Sequence, residues 1–334
     1  MCGVAGFFTG CEFAQTCALK NGGACRSLTT DAARSFRGWY DKASVRRSPR
    51  RELDPEDIAL DLFPRHLVPH LAHPLIAQSH PERIQHLLTL TLYRFLTFTF
   101  NLEMQLVNDT TRKLIMHELP FSLDGAAILN AQKLICDEAY HALFCADLLD
   151  QAITLTEVAP TGTARPAFLS RLAEAQGASE DPGITQFLYT AVSEMLITAT
   201  LYEARSAGEV PGAVSGVMLD HAADEARHHI FYRDLLGSYL TSLPKGDAQA
   251  AAAQIPEAIA AYMEPDLPGI RGDLLAVGFD RDDCEEILFD TYAATSHKDY
   301  VDMSAREIQR LLHELDLSPT AEVADAFAHL GERL

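Results

Sequence analysis

Two short stretches of this chain, Asp137-Glu138-Ala139-Tyr140-His141 and Asp224-Glu225-Ala226-Arg227-His228, are nearly the same, and each sets a glutamate three residues before a histidine. On a helix that spacing puts both side chains on one face, where a carboxylate and an imidazole can reach one dimetal centre. One copy alone says little. With 13 His and 22 Glu in the chain, about one Glu-x-x-His is expected by chance. The repetition carries the weight: both copies follow an aspartate, and both lie in long apolar stretches where a solvated charged face is not expected.

From Asp54 onward helix formers dominate, and Pro and Gly fall mainly between the apolar segments. The pattern predicts long helices over 81–116, 123–156, 182–207 and 212–243, with shorter ones over 55–78, 165–176, 247–264, 281–296, 299–315 and 319–332. Pro120 with Ser122-Leu123-Asp124, Pro182-Gly183, Pro211-Gly212 and Leu243-Pro244-Lys245-Gly246 mark the breaks. Four long helices in two consecutive pairs is the layout of an all-α bundle. Residues 1–50, rich in Gly, Cys, Ser and Arg and without a period, read as a poorly ordered N-terminal segment, and 51–334 as a single domain. The Met1-Cys2-Gly3 start is similar to that of amidotransferases with an N-terminal cysteine nucleophile, but nothing after it supports such a domain.

Each half also offers a carboxylate from its preceding helix. Within Ile84–Asn108 the only formal charges are Arg94 and Glu103, nine residues apart and so on opposite faces; if one faces out, the other faces in. In the second half Glu194 is the lone charge of Ile184–Tyr202, and Glu203 is disfavoured because it lies half a turn around the helix beside Arg205. Glu103, Glu138, Glu194 and Glu225 buried together would have to protonate or find cations. Two divalent ions would neutralise four glutamates. His221 extends the second motif into a His221, Glu225, His228 stripe, whereas the equivalent first-half residue is Leu134. His229 lies off the stripe. Asp137 and Asp224 fit a supporting role, accepting the free ring N–H of a ligating histidine, and Arg227 and Tyr140 are candidates to order them.

Composition excludes several classes. A formal net charge of −20 argues against nucleic acid or an anionic membrane as the main partner. Seven cysteines, with no Cys-x-x-Cys, argue against a disulfide framework or a zinc ribbon and for a cytoplasmic protein with reduced thiols. Ile184–Tyr202 is long enough to span a bilayer but carries Thr185, Gln186, Thr190, Ser193, Thr198 and Thr200, so it reads as a core helix.

The pattern Glu103, Glu138-x-x-His141, Glu194, His221-x-x-x-Glu225-x-x-His228 resembles the non-haem diiron N-oxygenases typified by 4-aminobenzoate N-oxygenase. The resemblance implies a ferritin-like bundle with seven ligands to two iron ions, His221 being the extra one. It implies Glu103 and His141 on one iron, Glu194, His221 and His228 on the other, and Glu138 and Glu225 bridging. It also implies oxidation of an aryl amine through hydroxylamine and nitroso stages to the nitro compound, usually in natural-product (antibiotic) biosynthesis, by O₂ captured as a peroxo-diiron(III) species. No flavin or nicotinamide motif is visible, so electrons come from an external reductase or ferredoxin. Carboxylate and imidazole ligands suit manganese as well as iron, and a homodimer is open.

Three other readings use the same core. A diiron C–H hydroxylase shares the ligands. A ribonucleotide-reductase small subunit is disfavoured by Cys145, which stands where that family carries its radical tyrosine. Non-enzymatic iron storage would not need His221, and the chain is about twice the length of a minimal ferritin bundle.

Overall fold

The computed structural model describes residues 26–28, 30–31, 35–161, 166–204, 210–292 and 304–317, with backbone alone for 26–27 and 197–204. Cys2 of the amidotransferase-like start and the predicted helix over 319–332 lie outside the described residues. Strand β1 (Arg26–Leu28) is followed by two single-turn helices, α1 (Trp39–Lys42) and α2 (Ser44–Arg47), and later by α3 (Pro74–Ala77). The first long helix is α4 (Pro81–Leu102), continued by a π-helical segment (Glu103–Val107) and by α5 (Asn108–Ile115). Next come β2 (Phe121–Leu123), α6 (Gly125–Thr156), α7 (Ala167–Ala178), α8 (Pro182–Ala204) and α9 (Gly212–Ser242). Five shorter helices complete the described chain: α10 (Lys245–Ala252), α11 (Ile255–Met263), α12 (Leu267–Ala276), α13 (Arg281–Tyr292) and α14 (Arg306–Glu314).

Local chemistry sets these boundaries. Pro81 opens α4 at its first turn, where a missing N–H costs nothing. Asp124 caps α6 by accepting from the Ala127 N–H at 2.7 Å, and the helix stops at Glu157 in the left-handed region. Asp181 accepts from Gly183 and Ile184, both at 3.1 Å, to start α8. Strands β1 and β2 pair in parallel, Leu28 opposite Leu123, and tie the N-terminal segment to the turn before α6.

Helices α4, α6, α8 and α9 pack on one another and give the ferritin-like bundle. Their apolar residues fall into two clusters. Going along α6, Leu134 belongs to one and Phe144 and Cys145 to the other; along α9 the order is reversed, Met218 in the second and Phe231 in the first. The helices are thus antiparallel, and each changes cluster across the stretch that carries its Glu-x-x-His. Along α4 and the π segment the change falls between Leu96 and Leu102, just before Glu103. A polar layer therefore separates two apolar halves.

Several expectations change. The predicted helix over 55–78 is instead three 3₁₀ turns and the single turn α3, because Pro55, Pro64, Pro69 and Pro74 interrupt any longer ladder. The stretch 247–264 is two helices, α10 and α11, with Pro256 at the start of the second. Helix α12 has no counterpart among the predicted helices; Gly269 and Gly272 lower its propensity, and a cap by Asp266 on the Gly269 N–H at 3.0 Å starts it. Residues 35–48, expected to be poorly ordered, pack on the bundle with Phe36 and Trp39 buried. Among the described residues, no helix is long and apolar enough to cross a membrane.

Replacing Asp124 by Ala removes the α6 cap and is expected to lower stability by about 1 kcal/mol. Urea unfolding of the variant measures it, and an unchanged midpoint would show that the cap contributes nothing.

Candidate metal centre

Glu103 opens the π-helical segment Glu103–Val107. Such a one-turn expansion shifts the register of a helix locally and recurs at functional sites. Arg94, nine residues earlier, does not face solvent as the spacing suggests: it is half-buried and pairs with fully buried Asp273, Nε to Oδ2 2.9 Å.

The seven predicted ligands converge. Glu103, Glu138, His141, His221 and Glu225 form one group of side chains able to hold an ion, and Glu138, Glu194, Glu225 and His228 form a second. All seven are at most 1% exposed. His221 Nε2 lies 3.3 Å from Glu103 and 3.1 Å from Glu225. His141 Nδ1 is 2.9 Å from Glu138 and 3.4 Å from Glu225. Across the centre His228 Nδ1 is 2.7 Å from Glu138, 3.2 Å from Glu225 and 3.9 Å from Glu194. Glu138 and Glu225 belong to both groups.

One expectation is corrected. The resemblance implies His221 on the side of Glu194 and His228, but it stands with Glu103 and His141, its ring 4.3 Å from that of His141. The reason is axial. His221 is one turn before Glu225 and His228 about one turn after it, so their backbones are roughly 10 Å apart along α9 and their rings reach Glu225 Oε1 from either end, at 3.1 and 3.2 Å. They straddle Glu225 along the helix and fall in different ligand groups.

The donor set fits two cations. Both oxygens of Glu103, Glu138 Oε1, Glu194 Oε2, Glu225 Oε2 and His221 Nε2 are buried without a hydrogen bond. Orphaned carboxylate oxygens are costly inside a protein. Their close approaches are those of atoms sharing a cation: two ligands each about 2.1 Å from a first-row ion sit about 3 Å apart.

Protons take the place of cations in the metal-free centre. Burial, then the charges of Glu138, Glu225 and Glu194, holds Glu103 well above the usual carboxylate range. Glu194 is raised in the same way, by burial and then by Glu225 and Glu138. Burial also pulls Glu138 upward, but His228 and His141 outweigh it and bring the group down to about 2. Glu225 ends well below its ordinary value, burial being outweighed by His228, His141 and His221. His141 and His228 are raised, their burial overcome by the acidic partners. His221 is lowered by burial and by the charge on His141.

Behind the ligands the two halves cross over. Asp224 of α9 lies 3.1 Å from His141 Nε2, and Asp137 of α6 lies 3.2 Å from His228 Nε2. Each aspartate can accept a hydrogen bond from the ring N–H of the opposite helix's histidine, which leaves its Nδ1 turned to the centre. Arg227 pairs with Asp224 and lies 3.7 Å from Asp137. Tyr140 turns away, donating to the Ser48 carbonyl at 3.4 Å. Sequence reasoning misses two further supports. Trp39 Nε1 donates to both oxygens of Asp137, at 2.9 and 2.8 Å, and Ser44 meets Asp224 through its hydroxyl and through its N–H at 3.1 Å. Phe36 stacks on His228 at 5.9 Å. The density of aromatics in 35–40 is the signal that could have found them.

A cavity of about 510 Å³ is lined by Phe63, Phe95, Phe98, Phe168 and Tyr262 among others, with Arg94 in its wall. Phe98, Phe168 and Tyr262 form a ladder of rings spaced 5.0 and 5.5 Å. Burial, then the neighbouring Tyr189, pushes the Tyr262 phenol well above its ordinary range; the seven ligands are not among the residues that line the cavity.

The family described as P-aminobenzoate N-oxygenase AurF matches residues 35–316 of the chain. No curated protein matches it.

Two outcomes follow from the centre. Glu103, Glu194, His141 and His228, all raised in the metal-free protein, must release protons to bind cations, so affinity falls as pH falls. Loading in weak buffer should release protons, read with an indicator dye; no release would contradict the raised affinities of these four groups for protons. Asp137→Asn and Asp224→Asn should each weaken metal binding by about tenfold to a hundredfold in chelator competition, whereas unchanged affinity would reduce the crossed aspartates to packing.

Proposed function

The chain belongs to the P-aminobenzoate N-oxygenase family, and from that premise we propose that it oxidises the nitrogen of an aryl amine with O₂ at two iron ions held by Glu103, Glu138, His141, Glu194, His221, Glu225 and His228. Membership makes it a diiron oxygenase of aryl amines in general terms. The finer reading has the amine pass through hydroxylamine and nitroso stages to the nitro compound, in natural-product biosynthesis. The observation that carries the proposal is the set of orphaned carboxylate oxygens and imidazole nitrogens that meet in two groups sharing Glu138 and Glu225.

When bound, the two iron ions supply the redox chemistry, taking electrons from a donor and activating O₂. The chain's own residues do the rest. Four glutamates match the charge of two divalent ions, so loading leaves the buried layer close to neutral. Asp137 and Asp224 hold the ring protons of His228 and His141 away from the centre and fix both rings. His221 adds a nitrogen on the Glu103 side, the feature that sets this ligand set apart from a plain six-ligand bundle. We place the aryl ring in the cavity along Phe98, Phe168 and Tyr262, whose aromatic walls suit a flat apolar guest. The first step balances as amine plus O₂, two electrons and two protons giving hydroxylamine and water. No nicotinamide or flavin fingerprint is seen in the sequence, so an external carrier is the source of the electrons.

The test is single-turnover oxidation. Protein loaded with iron, reduced chemically and mixed with ¹⁸O₂ and a panel of aryl amines should give N-oxygenated products carrying the label by mass spectrometry. Label found only in a C–H hydroxylated product, or iron deposited as mineral without any oxygenated product, would contradict the proposal.

A further inference from the structure

Apart from His221, the two halves of the centre are alike in their ligands, and they differ further in what stands behind them. Behind His141, Asp224 is held by Ser44 and Arg227, neither of which carries electrons readily. Behind His228, Asp137 is held by Nε1 of Trp39 at 2.9 and 2.8 Å, and Trp39 is the single tryptophan of the chain. Asp137 Oδ2 is in turn 3.2 Å from His228 Nε2, and His228 Nδ1 faces Glu138 at 2.7 Å inside the centre. Outward, the Trp39 ring, 7% exposed, meets Tyr40 edge-on at 5.1 Å, and Tyr40 is 67% exposed. Two aromatic rings and two hydrogen bonds thus join solvent to the ligand layer at His228, through a hydrogen-bonded aspartate, whereas the rings beside His141, Phe144 at 5.2 Å and half-buried Tyr140 5.6 Å beyond it, connect by ring contact alone.

The surface at the outer end of this route is charged against the trend of the protein. Residues 37–50 expose Arg37, Lys42, Arg46, Arg47 and Arg50 with a single acidic residue, Asp41. Arg50 is paired with Asp147 and Glu52. Lys133 adds a cation 5.6 Å from the Tyr40 ring. In a chain of formal net charge −20, a basic strap around one exposed aromatic is a local attractor for an acidic partner, since complementary charge steers encounter and fixes orientation.

We propose that this strap is the docking surface for an acidic iron–sulfur electron carrier, and that Tyr40, Trp39, Asp137 and His228 form the path its electrons take to the centre. The inference rests on the reading of the chain as an oxygenase fed by an external donor. Each reduced carrier gives one electron and leaves oxidised. Two of them convert two iron(III) to two iron(II), no bond forms or breaks in the strap, and Trp39 ends as it began. Trp39 is a positioning and conducting residue here, not a catalytic one.

Stopped-flow reduction of the oxidised, iron-loaded protein separates the possibilities, with a reduced plant-type [2Fe–2S] ferredoxin as one reductant and dithionite as the other. Each variant is normalised to its own dithionite rate. The paired charge reversal R46E and R47E should lower the second-order ferredoxin rate on the order of tenfold, with the difference from wild type shrinking as salt rises. W39F should lower instead the rate at saturating ferredoxin, by a similar factor and at any salt. Fluorescence gives a readout apart from turnover: emission from the lone tryptophan should fall on iron loading and again shift when ferredoxin binds. If both variants keep the wild-type ratio, the docking and path inference is overturned, while a centre that dithionite reduces and that oxygenates an amine leaves the oxygenase reading standing. A chain that takes up no iron overturns both. Should W39F fail to fold, the charge reversal, which touches no part of the centre, still decides the docking claim.

Discussion

Everything in this bundle is arranged around a layer of buried acid. Four glutamates packed among three imidazoles, each at most 1% exposed, could not stay ionised without positive charge among them. The metal-free protein meets that demand with protons, raised on Glu103, Glu194, His141 and His228. Two divalent cations meet it better, because they also occupy the orphaned oxygens. The same requirement explains the division of the core into two apolar halves: hydrophobic packing above and below the layer holds the helices in register while the layer itself adds little adhesive force of its own.

Positioning is as costly as charge in such a site, and the fold spends several devices on it. The π-helical turn at Glu103 re-aims one carboxylate without bending the helix away from the bundle. The crossed aspartates tie α6 to α9 through the ligands, so that each helix orients the other's histidine. Residues 35–48 then brace both aspartates from outside, Trp39 on one and Ser44 on the other. A ligand layer supported from two directions is stiff, and stiffness is what a centre needs to accept electrons with little rearrangement.

Much of this is legible in the amino-acid sequence. The repeated Glu-x-x-His, the lone charges Glu103 and Glu194, the His221 stripe and the two aspartates need only helical periodicity and the cost of buried charge, and the four long helices end within a few residues of the Pro, Gly and Asp signals that bound them. What stays hidden depends on neighbours. Helical spacing places His221, Glu225 and His228 on one stripe, but which side of the shared carboxylates His221 serves depends on how α9 is offset against α4 and α6. The crossing of Asp137 to His228 likewise needs the register of two helices that are 87 residues apart in sequence at these motifs. The bracing strap is disguised by composition: its Gly, Arg and Ser content reads as loop, and only Phe36, Trp39 and Tyr40 hint at burial. Over 55–78 the apolar content suggests a helix, and four prolines prevent it.

The account stands or falls on two cations lying between Glu103 and Glu194 with Glu138 and Glu225 shared. Anomalous diffraction at the iron edge from iron-soaked crystals tests it directly. Two peaks are predicted, one flanked by Glu103, His141 and His221 and the other by Glu194 and His228. A single peak, or none in a protein that still folds and turns over, would contradict it.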